Sequence, residues 1–304
     1  MIRPEPMRGV YAPILTPVTE SYAPDAQRLI AHGHWLLENG CHGLAPFGTT
    51  SEANSFSTAE RMETLEQMVD GGLPAAQMIV GVGCCAFTDT VTLASHAAAL
   101  GCGGVLMLPP FYYKGVSDEG IFRAVAEVIE RVADARLRVY LYHIPPIAQV
   151  GFSPALIERL ISMFPQTVVG IKDSSSSAES LATLLDNFFG FGILAGSEGL
   201  LLQNMRGGGA GTITAMANII PGAIRNLYDN WQKPEADQIQ ADLHVMRKAL
   251  APYPVIPALK EIMARRWDDP AWRTVRPPLV GLSQDVADEL AANPIVADYL
   301  AQPA

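Results

Sequence analysis

Eight short apolar runs, each followed by a longer segment of helical periodicity, constrain the fold of this 304-residue chain more than any other feature. The runs are Val10–Leu15, Gly43–Phe47, Met78–Val82, Gly104–Leu108, Arg138–Tyr142, Val168–Lys172, Gly192–Ala195 and Gly211–Ala215. The helical segments after them are Asp25–Glu38, Thr58–Val69, Thr88–Leu100, Asp118–Ala133, Pro154–Met163, Ala178–Phe188, Gly199–Met205 and Pro221–Trp231. Ser57-Thr58 ahead of Glu60, Thr88 with Asp89, and Ser153-Pro154 mark helix starts, where a side-chain oxygen can accept from a free N–H of the first turn. Gly40, Gly71 and Gly101 fall just past helical runs, where a chain reverses most easily.

Strand–helix alternation dictates a parallel sheet, because parallel neighbours need a long crossover. Eight such units are the number that closes a barrel. The runs are apolar throughout, as strands covered on both faces must be. An open doubly wound sheet would carry a glycine-rich nucleotide loop after its first strand, whereas here that strand runs into Leu15-Thr16-Pro17. We therefore expect a (β/α)8 TIM barrel over residues 1–233 as the catalytic domain. A C-terminal helical extension, 234–304, should pack on it, with helices near Glu235–Leu250, Pro257–Arg266 and Gln284–Ala292.

At 49% hydrophobic the chain has ample apolar content for such a core. The formal net charge of −10, with no cluster of Lys and Arg, excludes nucleic acid as a partner. No apolar run approaches a membrane span, and the start MIRPEPMRGV has no apolar signal core. Cys41, Cys84, Cys85 and Cys102 show no CxxC spacing and read as reduced thiols of a cytoplasmic protein. The histidines 32, 34, 42, 96, 143 and 244 are too scattered to suggest a metal cluster.

A barrel carries its chemistry at the C-terminal ends of its strands. Those ends read Gly48-Thr49-Thr50-Ser51-Glu52 after the second, Pro109–Tyr113 after the fourth and Tyr142-His143-Ile144-Pro145 after the fifth. The sixth ends in Lys172-Asp173, the seventh in Gly196-Ser197-Glu198 and the eighth in Thr212-Ile213-Thr214. Of the five lysines (114, 172, 233, 248 and 260), only Lys172 is embedded in an apolar strand; the others read as loop or helix surface. Burial of an unpaired ammonium favours the neutral amine, a nucleophile toward ketones. A buried ion pair is the equal alternative, although Asp173 points to the opposite strand face. Tyr142 could relay protons beside an imine or simply fill the core. Thr49 and Thr50 could hold a carboxylate or cap a helix. The glycine-rich stretch 207–211 reads as an αβ turn on the far face rather than a phosphate cradle. The hydroxyls of 174–177 could equally cap a helix or meet substrate hydroxyls.

Together these residues resemble the dihydrodipicolinate synthase / N-acetylneuraminate lyase family of class I, pyruvate-dependent aldolases, over nearly the whole chain. Pro13–Pro17 resembles the family's opening strand, and Gly48–Glu52 its GTTGE or GSTGE motif. Pro110–Tyr113 resembles P-[FY]-Y, Tyr142–Pro145 resembles Y-N-x-P, and Gly170–Asp173 resembles G-[IL]-K-[DE]. The resemblance implies an imine on Lys172 with a 2-keto acid such as pyruvate, and no metal or other cofactor. It makes Tyr142 the proton relay and gives Thr49 and Thr50 the carboxylate. Tyr112, or Tyr113 if the alignment slips by one, would complete a Tyr–Thr–Tyr relay from a neighbouring subunit of a homotetramer built as a dimer of dimers. Gly196 and Ile213 match positions lining the imine pocket.

Ser51 stands where the family has glycine, which either narrows that turn or adds a hydroxyl to it, and His143 stands where it has asparagine. Ile147 occupies the place of the arginine that grips the second substrate in dihydrodipicolinate synthases. The lyase Asp-Glu pair after strand seven reads Ser197-Glu198. The 172–175 stretch is closer to 2-keto-3-deoxy sugar-acid aldolases and dehydratases. That is the leading expectation, ahead of 4-hydroxy-tetrahydrodipicolinate synthase with aspartate semialdehyde and of a non-catalytic keto-acid-binding protein.

Overall fold

In the computed structural model, which describes residues 4–302, eight parallel strands hydrogen-bond edge to edge. They are β1 (Gly9–Ala12), β2 (Gly43–Leu44), β3 (Ile79–Gly81), β4 (Gly104–Met107), β5 (Val139–His143), β6 (Val168–Asp173), β7 (Gly192–Ala195) and β8 (Gly211–Ile213). The order β2-β1-β8-β7-β6-β5-β4-β3 is closed at its seam by a parallel bridge between Leu44 and Met78 and by Gly81 N–H donating to the Pro46 carbonyl at 2.8 Å. This is the expected (β/α)8 barrel. The first three and last two residues of the expected 1–233 and 234–304 segments lie outside the described residues. Among the described residues no helix is long and apolar enough to cross a membrane.

Strand parity divides the core in two. Tyr11, Ala45, Ile79, Leu106, Tyr140, Tyr142 and Leu194 fill the barrel, while Val10, Ala12, Val80, Leu141, Ile171 and Ile193 face the surrounding helices. Alternation along each strand produces both layers from the same short runs. Tyr140 plugs the lower end: its buried hydroxyl accepts from Met7 N–H at 2.6 Å, and burial pushes its pKa up to about 12. Two residues on, Tyr142 occupies the same face at the upper end. The parallel register sets Tyr142 beside Lys172, and Lys172 beside Leu194. That register carries the lysine into the barrel mouth.

Several strands end earlier than their apolar runs. β1 stops at Ala12 because Pro13 has no N–H and Leu15 N–H is taken by Asn218 Oδ1 at 3.0 Å. β2 stops at Leu44, ahead of Pro46 and of Phe47, whose φ of 59° turns the chain. β5 instead runs one residue further, to His143. Past the barrel, the helices Ala236–Leu250, Val255–Arg266 and Gln284–Ala292 stand close to expectation. The second starts ahead of Pro257, which falls in the first turn, where its missing N–H costs nothing. A further helix, Pro294–Leu300, was not read from the sequence. Trp267 meets Trp35 edge to face at 5.5 Å, Trp272 meets His32 at 5.3 Å, and Arg28 pairs with Asp269 at 2.5 Å. These contacts seat the C-terminal helices on the helix Ala26–Glu38.

Candidate active site

Lys172 is only 4% exposed, yet its Nζ donates to Tyr142 Oη at 3.2 Å and lies 4.3 Å from that ring's centroid. Among the described residues it has no ion pair within 4 Å. The phenol in turn shares a 3.1 Å hydrogen bond with Thr49 Oγ1. A chain of amine, phenol and hydroxyl therefore crosses from β6 through β5 to the loop after β2. It opens into a cavity of about 550 Å³ whose floor includes Thr49, Thr50, Tyr142, Lys172, Gly196 and Ile213. Glycine is required at 196: a Cβ there would stand 2.8 Å from Ser174 Cα and 2.7 Å from the Asp173 carbonyl oxygen. The end of β7 thus packs directly against the residues that follow Lys172 on β6.

Two expected residues, Ser51 and His143, are not on this wall. Ser51 is fully buried and faces away: its hydroxyl donates to the Ile14 carbonyl at 2.6 Å, and its own carbonyl accepts from Thr16 Oγ1 at 2.9 Å. It ties the Thr49-Thr50 turn to the end of β1 rather than presenting a hydroxyl to the cavity. His143 points outward by strand parity; its Nδ1 accepts from Phe152 N–H at 3.0 Å, and burial lowers its pKa against the opposing effect of Asp173. Tyr112 and Tyr113 are each 73% exposed on the loop after β4, ring against ring at 5.3 Å, and neither lines this chain's own cavity.

The buried ion pair weighed for Lys172 exists, but at Lys260. That lysine is not on a helix surface: it is fully buried and paired with the equally buried Glu52. Its Nζ also donates to the Thr274 carbonyl at 2.9 Å, while Arg276 N–H donates to Glu52 Oε2 at 2.8 Å. Burial lowers the Lys260 pKa, and Glu52 acts in the opposite direction. Glu52 itself holds a left-handed φ of 58°, a cost these partners offset. The motif glutamate is thus an anchor fastening the Thr49-Thr50 turn to the helix Val255–Arg266. Its sequence signal was available, since Leu259, Ile262 and Met263 surround Lys260 with apolar positions.

A second buried carboxylate, Glu198, carries no such local signal. It accepts from Thr214 Oγ1 at 2.5 Å and from Arg247 Nη1 at 3.2 Å, joining the ends of β7 and β8 to the helix Ala236–Leu250. Thr214 and Arg247 both line the cavity. A cavity of similar volume, about 540 Å³, lies elsewhere, between Trp35, Pro221, Met246 and Tyr299 outside the barrel, and shares no residue with the lysine site.

Residues 6–294 match the model of the dihydrodipicolinate synthetase family. An uncharacterized DapA-like lyase of Chloroflexus aurantiacus is 35% identical over 290 residues, covering 94% of this chain and 95% of that protein. A probable 2-dehydro-3-deoxy-D-pentonate aldolase of Escherichia coli K12 is 30% identical over 264 residues, covering 82% of this chain and 83% of its own. The crystal structure of dihydrodipicolinate synthase from Agrobacterium tumefaciens superposes with a TM-score of 0.86 at 30% identity, covering 97% and 99% of the two chains. With barrel, motif order and relatives in agreement, the chain belongs to the dihydrodipicolinate synthetase family of lyases.

Proposed function

We propose that the protein is a class I lyase that joins a 2-keto acid such as pyruvate to an aldehyde, or cleaves the corresponding 4-hydroxy-2-keto acid, through an imine on Lys172. One observation carries this reading: a buried amine at the floor of a cavity has a phenol, not a carboxylate, as its partner. An amine so placed is available to attack a ketone once neutral. Thr49 and Thr50, at the free end of the second loop, would hold the keto acid's carboxylate and so present C2 to Nζ.

In cleavage, the amine adds to C2 and water leaves, giving a protonated imine. Tyr142 takes the C4 hydroxyl proton, C4 becomes the aldehyde, and the electron pair of the C3–C4 bond moves into the imine as an enamine. Protonation at C3 and hydrolysis return the keto acid and the free lysine. Synthesis runs the same steps in reverse. Thr49 holds the phenol oriented through its 3.1 Å hydrogen bond, and no step draws on a cofactor. Tyr112, exposed on its own chain, is read as acting on a neighbouring subunit's site within a homotetramer.

The place of the synthase arginine is held by Ile147, which cannot form a bidentate contact with a carboxylate. This favours an aldolase or dehydratase of the keto-deoxy-acid type over condensation with aspartate semialdehyde, and the pentonate-aldolase relative supports the same side. The test is reductive trapping. Pyruvate and borohydride added to the protein should leave a stable adduct on the peptide containing Lys172, absent in Lys172→Ala. A clean wild-type peptide would overturn the imine reading.

A further inference from the structure

The imine explains the keto-acid half of the cavity and leaves its upper half unaccounted for. Above the lysine the walls are apolar: Ile144, Ile147, Met216, Leu250, Ile256 and Leu279 line it, and Ile147 and Val255 stand 62% and 52% exposed at the rim. Among the described residues no Asp, Glu or His side chain lines the cavity, and its one cation besides Lys172 is Arg247. A chamber built for a polyol would face each hydroxyl with a polar partner, since an unmatched one loses hydration without return. Here the hydroxyls available are those of Ser174 and the exposed Ser176, both on the loop after β6, and that of Thr214, which is already committed to Glu198. Ile147 and Val255 leave apolar surface open at the cavity mouth, which an apolar part of a ligand would cover.

Arg247 is the exception, and it is held in place. Glu198 is completely buried, with both carboxylate oxygens occupied: Oε1 by Arg247 Nη1 at 3.2 Å and Oε2 by Thr214 Oγ1 at 2.5 Å. Gln240 Nε2 also donates to the Glu198 carbonyl at 3.1 Å. The guanidinium uses one N–H on this anchor, and the side chain, 45% exposed, lines the cavity. A planar fork fixed from behind, in apolar surroundings, suits a carboxylate on the opposite side.

From this we infer that the aldehyde partner has an apolar body and an anionic end, and that Arg247, positioned by Glu198, is the residue that selects it. The inference rests on the imine reading and narrows its product class: the product is still a 4-hydroxy-2-keto acid, but its aldehyde part is apolar and anionic, a departure from the polyol chain of the pentonate-aldolase relative. The reaction is the aldol addition already described: the enamine C3 bonds to the aldehyde carbon, the carbonyl oxygen takes the Tyr142 proton, and hydrolysis of the imine consumes the water released when it formed.

The test compares pyruvate-dependent product formation by the full-length protein with 4-formylbenzoate, benzaldehyde and D-glyceraldehyde, alongside borohydride trapping on the same preparation. The wild type should favour formylbenzoate over benzaldehyde by about 10- to 100-fold in kcat/KM, the worth of a charge-assisted contact. Both should exceed glyceraldehyde. Arg247→Met should abolish the carboxylate preference, Arg247→Lys should restore part of it, and Glu198→Gln should weaken it through KM more than kcat. Preference for glyceraldehyde, or a carboxylate preference that survives Arg247→Met, overturns the inference while a trapped Lys172 adduct leaves the imine standing. A trapped adduct with no turnover of any of the three aldehydes overturns the inference as well. Absence of the adduct removes the imine reading and this inference with it.

Discussion

Lys260→Met separates a structural lysine from a chemical one. Lys260 and Glu52 are both fully buried, and the substitution keeps the volume of the side chain while removing its charge. Glu52 would then face the interior with Arg276 N–H, at 2.8 Å, as its remaining partner, and the Thr274 carbonyl would lose its donor at 2.9 Å. Breaking one side of a buried pair costs about 3–5 kcal/mol, because the surviving charge stays desolvated. For a chain of this size each kcal/mol moves the melting temperature by about 2 °C, so Lys260→Met should melt about 6–10 °C lower. Glu52→Gln with Lys260→Met should recover more than half of that loss, since an amide needs no counter-charge. Because Glu52 adjoins the Thr49–Ser51 turn, the single variant should also raise KM for pyruvate while still trapping an adduct on Lys172. Calorimetry and steady-state kinetics read both effects. A single variant within 2 °C of wild type, or a double variant no better than the single, would refute the account of this pair as the anchor of the turn.

Tyr142→Phe should lower kcat about 10²- to 10⁴-fold, the usual worth of a positioned proton donor, while borohydride trapping persists; an unchanged kcat would exclude the phenol from the relay. If Tyr112 acts across subunits, mixing Tyr112→Phe with Lys172→Ala protein under conditions of subunit exchange should restore activity that neither has alone, and no recovery would return Tyr112 to its own chain or to none. His32 is buried with Nε2 on Asn218 Oδ1 at 3.1 Å, and burial lowers its pKa to about 4. The unfolded chain binds this proton near pH 6.5 and the folded chain does not, so stability is lost as pH falls from 6.5 toward 4, by about 3 kcal/mol. Denaturant titrations of His32→Asn should show a flatter acid limb than wild type, and an identical pH dependence would count against this source.

Much of the site was legible because strand ends are local. The residues at the C-terminal end of an apolar run in a parallel barrel must meet at one face, so Thr49, Tyr142, Lys172 and Gly196 could be grouped before any contact was known. Strand parity also separated Asp173 from Lys172 correctly, and register placed Tyr142 directly beside the amine. The same rule gave no warning that Ser51 turns away. Its neighbours place it in the loop, but its rotamer is set by the Ile14 carbonyl, contributed by a distant part of the chain.

The misreading of Lys260 has a different origin. Counting lysines by helix or strand treats helices as surface, yet the helix Val255–Arg266 is covered on most of its faces, and a cation there is tolerable because Glu52 meets it from 208 positions earlier. Arg247 and Glu198 are likewise 49 positions apart, with no motif connecting them. Periodicity and strand-end residues, which depend only on neighbours in the chain, were enough to determine the barrel, the end at which its strand-end side chains gather and the buried amine among them. Only the tertiary structure could decide which buried lysine has a counter-charge, which hydroxyls face the cavity and which cation lines it beside Lys172. Burial and pairing are properties of the space around a side chain, and that space is assembled from segments the local sequence does not contain.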